Sequence, residues 1–227
     1  MSIVSPNYPD HRAALFDLDG TLLDTIEDIA LAMNRVLAAR GLGSYSVEAY
    51  KTLVGEGAEE LVRRVLASRR LSDAEVAGLL ADYRREYEAC WRLHSRPYPG
   101  VPALLEALGR RGVRTAVLSN KSQPFTEAMT AELLSPFRFD IVRGAQPGVP
   151  LKPDPAAALG IARRLEIAPA EAVFLGDTNI DMMTATGAGM LPVGALWGFR
   201  TAEELRAGGA AALLASPLEL LAYFPAD

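Results

Sequence analysis

The sequence predicts an α/β fold: an open parallel sheet flanked by helices, interrupted after its first strand by an all-helical insertion. Three observations predict it. Short apolar runs that end in small or acidic residues recur along the chain. Helical patterns separate them, the alternation expected of a parallel sheet with crossover connections. A long stretch between the first two runs has helical periodicity and no strand pattern. A chain of 227 residues, 50% of them hydrophobic, is long enough to bury a core and carry an insertion.

The elements follow in order. "AALFD" (13–17) is the first strand; its apolar residues run without alternation, as in strands covered on both faces. "TIEDIALAMNRVLAARG" (25–41) is a long amphipathic helix stopped by Gly41. "AEELVRRVLASRR" (58–70) and "SDAEVAGLLADYRREYEACWRL" (72–93) are two more helices. Ser72 and Glu75 form a capping box at the start of the second of these. The turn-rich "RPYPGVP" (96–102) returns the chain to the sheet. "VPALLEALGRRG" (101–112) is a helix with a glycine stop, and "VRTAVLSN" (113–120) is the second clear strand. Helices at 123–134 and 154–167 carry proline near their starts. "AVFLGD" (172–177) is the third clear strand, and "NIDMMTATGAG" (179–189) a short helix after it. "MLPVGAL" (190–196) is a shorter strand, and 207–224 holds a short strand and a closing helix. The expected organisation is a Rossmann-like core of residues 1–23 and 98–227, with an insertion at 24–97.

Composition removes several function classes. Net charge is −5 and no basic run is present, so nucleic acid is not an expected partner. Arg63, Arg64, Arg69 and Arg70 fall in a helical pattern and read as a solvated face. The single cysteine, Cys90, excludes an internal disulfide and suits a reducing compartment. The first twelve residues lack the apolar core of a secretory leader, and no run approaches the roughly 20 apolar residues of a membrane span. The expectation is a soluble, cytoplasmic protein, monomeric or homodimeric, with no membrane partner. His11 and His94 are isolated and read as structural or exposed. Trp197 reads as a packing residue, and Cys90 as a buried helix residue.

Ligands of open parallel sheets bind beyond the carboxyl ends of the strands. The three clear runs deliver Asp17 and Asp19, then Ser119 and Asn120, then Asp177 to that edge; Asp181 follows one turn later, and Lys152 precedes a helix. So many carboxylates in one small region need a cation. Oxygen donors suit Mg²⁺, which favours one or two carboxylates plus a phosphate. Residues two apart on an extended chain point the same way, and Gly20 permits a turn. One carboxylate of the pair can then attack a reacting atom while the other moves a proton. Ser119 and nearby backbone N–H groups can hold phosphate oxygens, and Lys152 can balance nucleophile and phosphate.

These residues carry a family resemblance. "DLDGT" (17–21), "LSN" (118–120), Lys152 in "LKPDP" and "GDTNID" (176–181) resemble, in order, the four motifs of the haloacid dehalogenase superfamily. The insertion lies where that family places a helical cap. "LLDT", "SNK", "KPDP" and "WGF" (197–199) resemble its phosphoglycolate phosphatase group. The resemblance implies Asp17 as nucleophile and metal ligand. Asp19 would be general acid/base, with its backbone carbonyl also on the metal, and Asp177 the third ligand. Asp181 would support the metal through water or orient Lys152, with helix capping as the other reading. Thr21, Ser119, Asn120 and Lys152 would hold phosphate. The implied activity is Mg²⁺-dependent hydrolysis of a small phosphorylated metabolite such as 2-phosphoglycolate through an aspartyl-phosphate. Pyrophosphate, a nucleotide or a sugar phosphate is the alternative substrate, and a non-catalytic binding module the alternative class. Thr21 departs from the mutase pattern, and Asp19 from the dehalogenase and phosphonate hydrolase patterns. Two stretches keep two readings each. "VGEGAEEL" (54–61) is a loop running into a helix or the family's specificity loop. Lys121 anchors an anionic substrate or is solvated.

Overall fold

The computed structural model describes residues 11–224. The outer ends of the expected core, 1–10 and 225–227, lie outside the described residues, and with them most of the first twelve residues.

Six parallel strands form the main sheet in the order β5-β4-β1-β6-β7-β8. They are β1 (Ala13–Phe16), β4 (Arg114–Ser122), β5 (Ile141–Ala145), β6 (Ala172–Gly176), β7 (Leu191–Ala195) and β8 (Ala212–Leu214). β1 sits in the middle because its residues are apolar on both sides. Ala14 and Phe16 join the core on one face, and Ala13 and Leu15 the core on the other. Helices α5 (Val101–Arg110) and α6 (Gln123–Leu133) cover the first face. Helices α7 (Ala156–Leu165) and α8 (Asn179–Ala188) cover the second. After β1 the chain builds β4 and β5 outward on one side, then crosses over to β6 on the other. β1 is therefore the point where the strand order reverses, and the crevice at its carboxyl end is the natural ligand site.

The helical stretch separates two short strands, β2 (Leu23–Asp24) and β3 (Arg96–Pro97), which pair antiparallel. It holds four helices: α1 (Ile26–Ala39), α2 (Val47–Leu53), α3 (Ala58–Val65) and α4 (Asp73–Cys90). α1 packs along α4, and Ile29, Met33 and Val36 share one apolar core with Val76, Leu79 and Tyr83. The Ser72–Glu75 capping box starts α4 as the sequence indicates. Asp28, fully buried in the first turn of α1, ties the two ends of the stretch together. It accepts hydrogen bonds from the backbone N–H groups of His94 and Ser95, from the Ser95 hydroxyl, and from His94 Nδ1. Burial pushes its pKa up, and these bonds more than reverse that, so Asp28 is held below the ordinary carboxylate value.

Five features differ from the sequence reading, and one is α9 (Ala202–Ala207), an additional short helix capped by Thr201. β5 is an additional strand; as an edge strand with only Ile141 and Gly144 buried, it needs no continuous apolar run. α2 is an additional helix, capped by Ser46 and burying only Tyr50. β2 and β3 are strands within a stretch expected to have none. The closing segment Pro217–Tyr223 is a 3-10 helix, not an α-helix.

Candidate active site

The site is built where β1, β4 and β6 end. The Asp17 N–H donates to Leu175 O, which continues the ladder one residue past β1. The chain then turns sharply: Leu22 and Leu23 N–H groups both reach Leu18 O, and the Gly20 N–H reaches Leu23 O. Gly20 has φ +85°, and a Cβ there would collide with the Asp177 carboxylate, so only glycine fits. Asp17 Oδ1 takes both of that side chain's hydrogen-bonding partners, the Leu18 N–H at 2.7 Å and the Lys152 ammonium at 2.9 Å. No hydrogen bond reaches Oδ2 among the described residues, which leaves that oxygen available.

Lys152 is buried and fully used. Its ammonium lies 2.9 Å from Asp17 Oδ1, 2.7 Å from Asp181 Oδ1 and 3.0 Å from Leu118 O. Asp181 turns its other oxygen to the Thr178 N–H and hydroxyl, capping α8. Asp181 thus makes the capping contacts of α8 and the ion pair to Lys152 at once. Asp177 is clamped by the Thr21 hydroxyl at 2.8 Å and the Phe199 N–H at 2.9 Å. Trp197 Nε1 in turn donates to Thr21 O. The 197–199 loop is thus a scaffold for Asp177, a role that the packing reading of Trp197 missed.

Asp17, Asp177 and Asp181 each bring a carboxylate oxygen within 4.8 Å of the others, and all three are buried. Three carboxylates face one ammonium, so with all three ionised two negative charges are uncompensated. Burial and crowding of like charge shift the pKa values. Asp17 is pushed up to about 7, by burial first and then by Asp181 and Asp19, with Lys152 opposing. Asp177 is raised by burial and by Asp17 and Asp181. Lys152 is lowered by burial, but the two aspartates more than reverse this and hold it charged. An all-oxygen, doubly negative cluster fits a hard divalent cation such as Mg²⁺.

The remaining expected residues divide. Asp19 stands apart from the cluster. Its carboxylate is held by Thr25 Oγ1 at 2.7 Å and by Lys121 Nζ at 2.9 Å from both oxygens. Lys121 also lies 4.6 Å from the centroid of the Tyr87 ring in α4. It is neither solvated nor free. Ser119 faces the cavity, and among the described residues its hydroxyl accepts only from the Lys121 N–H. The Asn120 side chain spends both amide donors on Lys152 O and Gly55 O and accepts from the Lys152 N–H. Thr21 does not line the cavity; its hydroxyl serves Asp177. The cavity is about 240 Å³, bounded below by Asp17, Asp19, Ser119 and Lys121 and above by the 54–61 loop and α4.

The close packing of this scaffold gives a test. A Cβ on Gly198 would collide with Asp177 and with Gly20 O. Gly198→Ala is expected to displace Asp177 and to cut affinity for the divalent cation by roughly 10–100-fold, the cost of disturbing a ligand's support. Isothermal titration with Mg²⁺ measures it.

A family profile described as haloacid dehalogenase-like hydrolase matches residues 14–195. A phosphoglycolate phosphatase from Nitrosospira multiformis is 36% identical over 183 residues, covering 78% of this chain and 80% of that protein. One from Aquifex aeolicus is 33% identical over 196 residues, covering 83% and 86%. Among solved structures, a Lactobacillus delbrueckii subsp. bulgaricus protein provisionally named phosphoglycolate phosphatase superposes with a TM-score of 0.89. It is 28% identical over 96% of this chain and 100% of that one. A variant of CbbY from Rhodobacter sphaeroides, solved with xylulose-(1,5)bisphosphate, gives a TM-score of 0.80 at 29% identity, over 94% and 99%. The profile's span takes in every element from β1 to β7, and with them the whole carboxylate cluster. The chain therefore belongs to the haloacid dehalogenase-like hydrolase family, among its phosphatases.

Proposed function

We propose that this chain is a Mg²⁺-dependent phosphomonoester hydrolase that works through an aspartyl-phosphate on Asp17. One observation carries the reading: a buried carboxylate with one unbonded oxygen sits at the end of the central strand, inside a cluster of three carboxylates that faces one ammonium. The relatives' phosphatase names support it. Asp17 Oδ2 attacks phosphorus in line, and the bond from phosphorus to the leaving oxygen breaks. Asp19, in its protonated form, gives that oxygen a proton, then takes one back from the water that attacks phosphorus as the bond from phosphorus to Asp17 Oδ2 breaks. Lys152 fixes the attacking carboxylate through its other oxygen and offsets charge as the phosphoryl group arrives. Ser119 offers its hydroxyl proton to a phosphate oxygen, and Thr21 and Asn120 hold Asp177 and Lys152 for that group. Mg²⁺, held by the Asp17 and Asp177 carboxylates and the Asp19 carbonyl, would neutralise the cluster and polarise the phosphoryl oxygens. We assign residues 24–97 as a cap over a core that takes in 11–23 and 98–224 of the described residues, with the 54–61 loop facing the substrate.

The substrate is a small phosphorylated metabolite, and 2-phosphoglycolate is the first candidate by the relatives' names. The cavity wall supports a second reading. Leu61, Leu80, Tyr83, Tyr87 and Phe125 line it, and they favour a leaving group with a ring or hydrocarbon portion, such as a sugar phosphate or nucleotide. A metabolite panel including 2-phosphoglycolate decides between them by kcat/KM. Absence of hydrolysis of every phosphomonoester, with Mg²⁺ present, overturns the function.

Chelation is expected to abolish turnover and Mg²⁺ to restore it. The cation is also expected to raise the thermal midpoint, more at about pH 8 than at about pH 5.5, because protons compete for the same oxygens. The sign follows from Asp17. Its pKa rises from 3.8 to about 7 on folding, so without a cation the fold takes up a proton in that window. This group's contribution to stability is full below 3.8 and is lost as pH rises through 7. Differential scanning fluorimetry at both pH values checks it.

A further inference from the structure

The 52–57 segment is docked on the core by two side chains: Arg200, which touches none of the reacting groups proposed above, and Asn120, which also bonds the Lys152 backbone. Arg200 Nη2 donates to Val54 O at 2.7 Å and to Thr52 O at 3.4 Å. These are carbonyls at the carboxyl end of α2, where the helix leaves acceptors unmet and a cation is favoured. Asn120 Nδ2 donates to Gly55 O, the next carbonyl, at 3.1 Å. The segment contains two glycines of positive φ, Gly55 at +121° and Gly57 at +91°, which give the backbone freedom to lift.

The two anchors reach back to opposite walls of the site. Arg200 directly follows Phe199, whose N–H clamps Asp177. Asn120 directly follows Ser119 and holds the backbone of Lys152 on both sides. The Arg200 side chain is only 8% exposed, and its Nη1 is buried without an acceptor among the described residues. A buried donor left unmet weakens the seated state. That suits a contact that must break whenever substrate enters.

We infer that Arg200 is a positioning residue: a latch on the core that holds the 52–57 segment shut over the site by gripping its backbone carbonyls. The inference rests on the phosphatase reading for its kinetic consequence, not for its structural one. Because the grip is on carbonyls, it does not depend on the side chains that the loop presents to substrate. A latch changes how often the closed form is populated, so it acts on apparent affinity and leaves the chemistry of the closed complex alone.

Arg200→Ala and Arg200→Lys in the full-length chain test it by hydrogen exchange and by kinetics. Arg200→Ala is expected to speed exchange of amides in 54–61 by about tenfold, the order expected for one charge-assisted hydrogen bond. Amides of β1, β4 and β6 keep their protection. KM is expected to rise by about tenfold while kcat stays within about twofold. Lysine, keeping a cation within reach of the carbonyls, is expected to fall between. Unchanged exchange at 54–61 in a folded variant overturns the latch, as does a loss confined to kcat. If Arg200→Ala fails to fold, the lysine variant's exchange alone decides. If the wild type hydrolyses nothing, the exchange result still stands or falls by itself.

Discussion

Asp17→Asn is expected to lower turnover by about 10⁴-fold or more while leaving the fold intact. An amide is isosteric with the carboxylate but is no nucleophile toward phosphorus, and loss of a nucleophile that works as part of a unit removes nearly the whole catalytic gain. The fold is expected to survive for a specific reason. Asp17 carries a raised pKa because burial and its neighbours disfavour the charge. Replacing it by a neutral group removes repulsion toward Asp177 and Asp181, and its Oδ1 still accepts from Leu18 and Lys152. The variant should therefore unfold at or above the wild-type denaturant midpoint. Steady-state hydrolysis and a denaturant curve on the same preparation check both halves. Activity within about tenfold of wild type would remove Asp17 from the chemistry.

Lys152→Met should be the opposite kind of lesion. The side chain length is kept, and the one ammonium between Asp17 and Asp181 is lost. Removing one partner of a buried ionic cluster leaves charge with nothing to offset it, at a cost of about 3–5 kcal/mol. The Leu118 carbonyl loses a donor as well. The penalty should shrink when Asp181→Asn is added, because that removes one of the stranded charges, and the difference measures the coupling directly. Turnover should fall by about 10²–10³-fold in either background, since the charge proposed to offset the arriving phosphoryl group is gone. If urea midpoints show the two substitutions simply additive, the Lys152–Asp181 contact is energetically idle.

Much of this site was readable from the chain alone, for one physical reason. A central parallel strand is covered on both faces, so it announces itself as an unbroken apolar run, and a charged residue at its end has nowhere to go but the crevice. Asp17, Ser119 and Asp177 follow from that rule. β5 escaped because an edge strand with Arg143 in its middle has no such run. Other residues escaped because hydrophobic pattern identifies a buried face but not the distant partner that a long side chain reaches. Lys121 spans from β4 to Asp19, and Arg200 from beyond β7 to the end of α2. Asn120 showed the same limit from the other side. Its place beside Ser119 suggested a phosphate contact, while its amide is committed to backbone groups of two other segments. Both open readings of Lys121 left out an intramolecular carboxylate as its partner.

The short β2–β3 pair has a consequence for modularity. Asp24 lies opposite Arg96 in an antiparallel register, and such a pair can be closed by a turn of about two residues. Everything between them hangs from one doorway, so covalent connectivity sets almost no limit on what hangs there. Adhesion does. Leu18, Leu22 and Leu23 share a continuous apolar core with Ile29, Tyr87 and Trp91. A shortened chain joined at the doorway would keep its wiring and lose its glue, and any replacement must bring an oily face of matching shape.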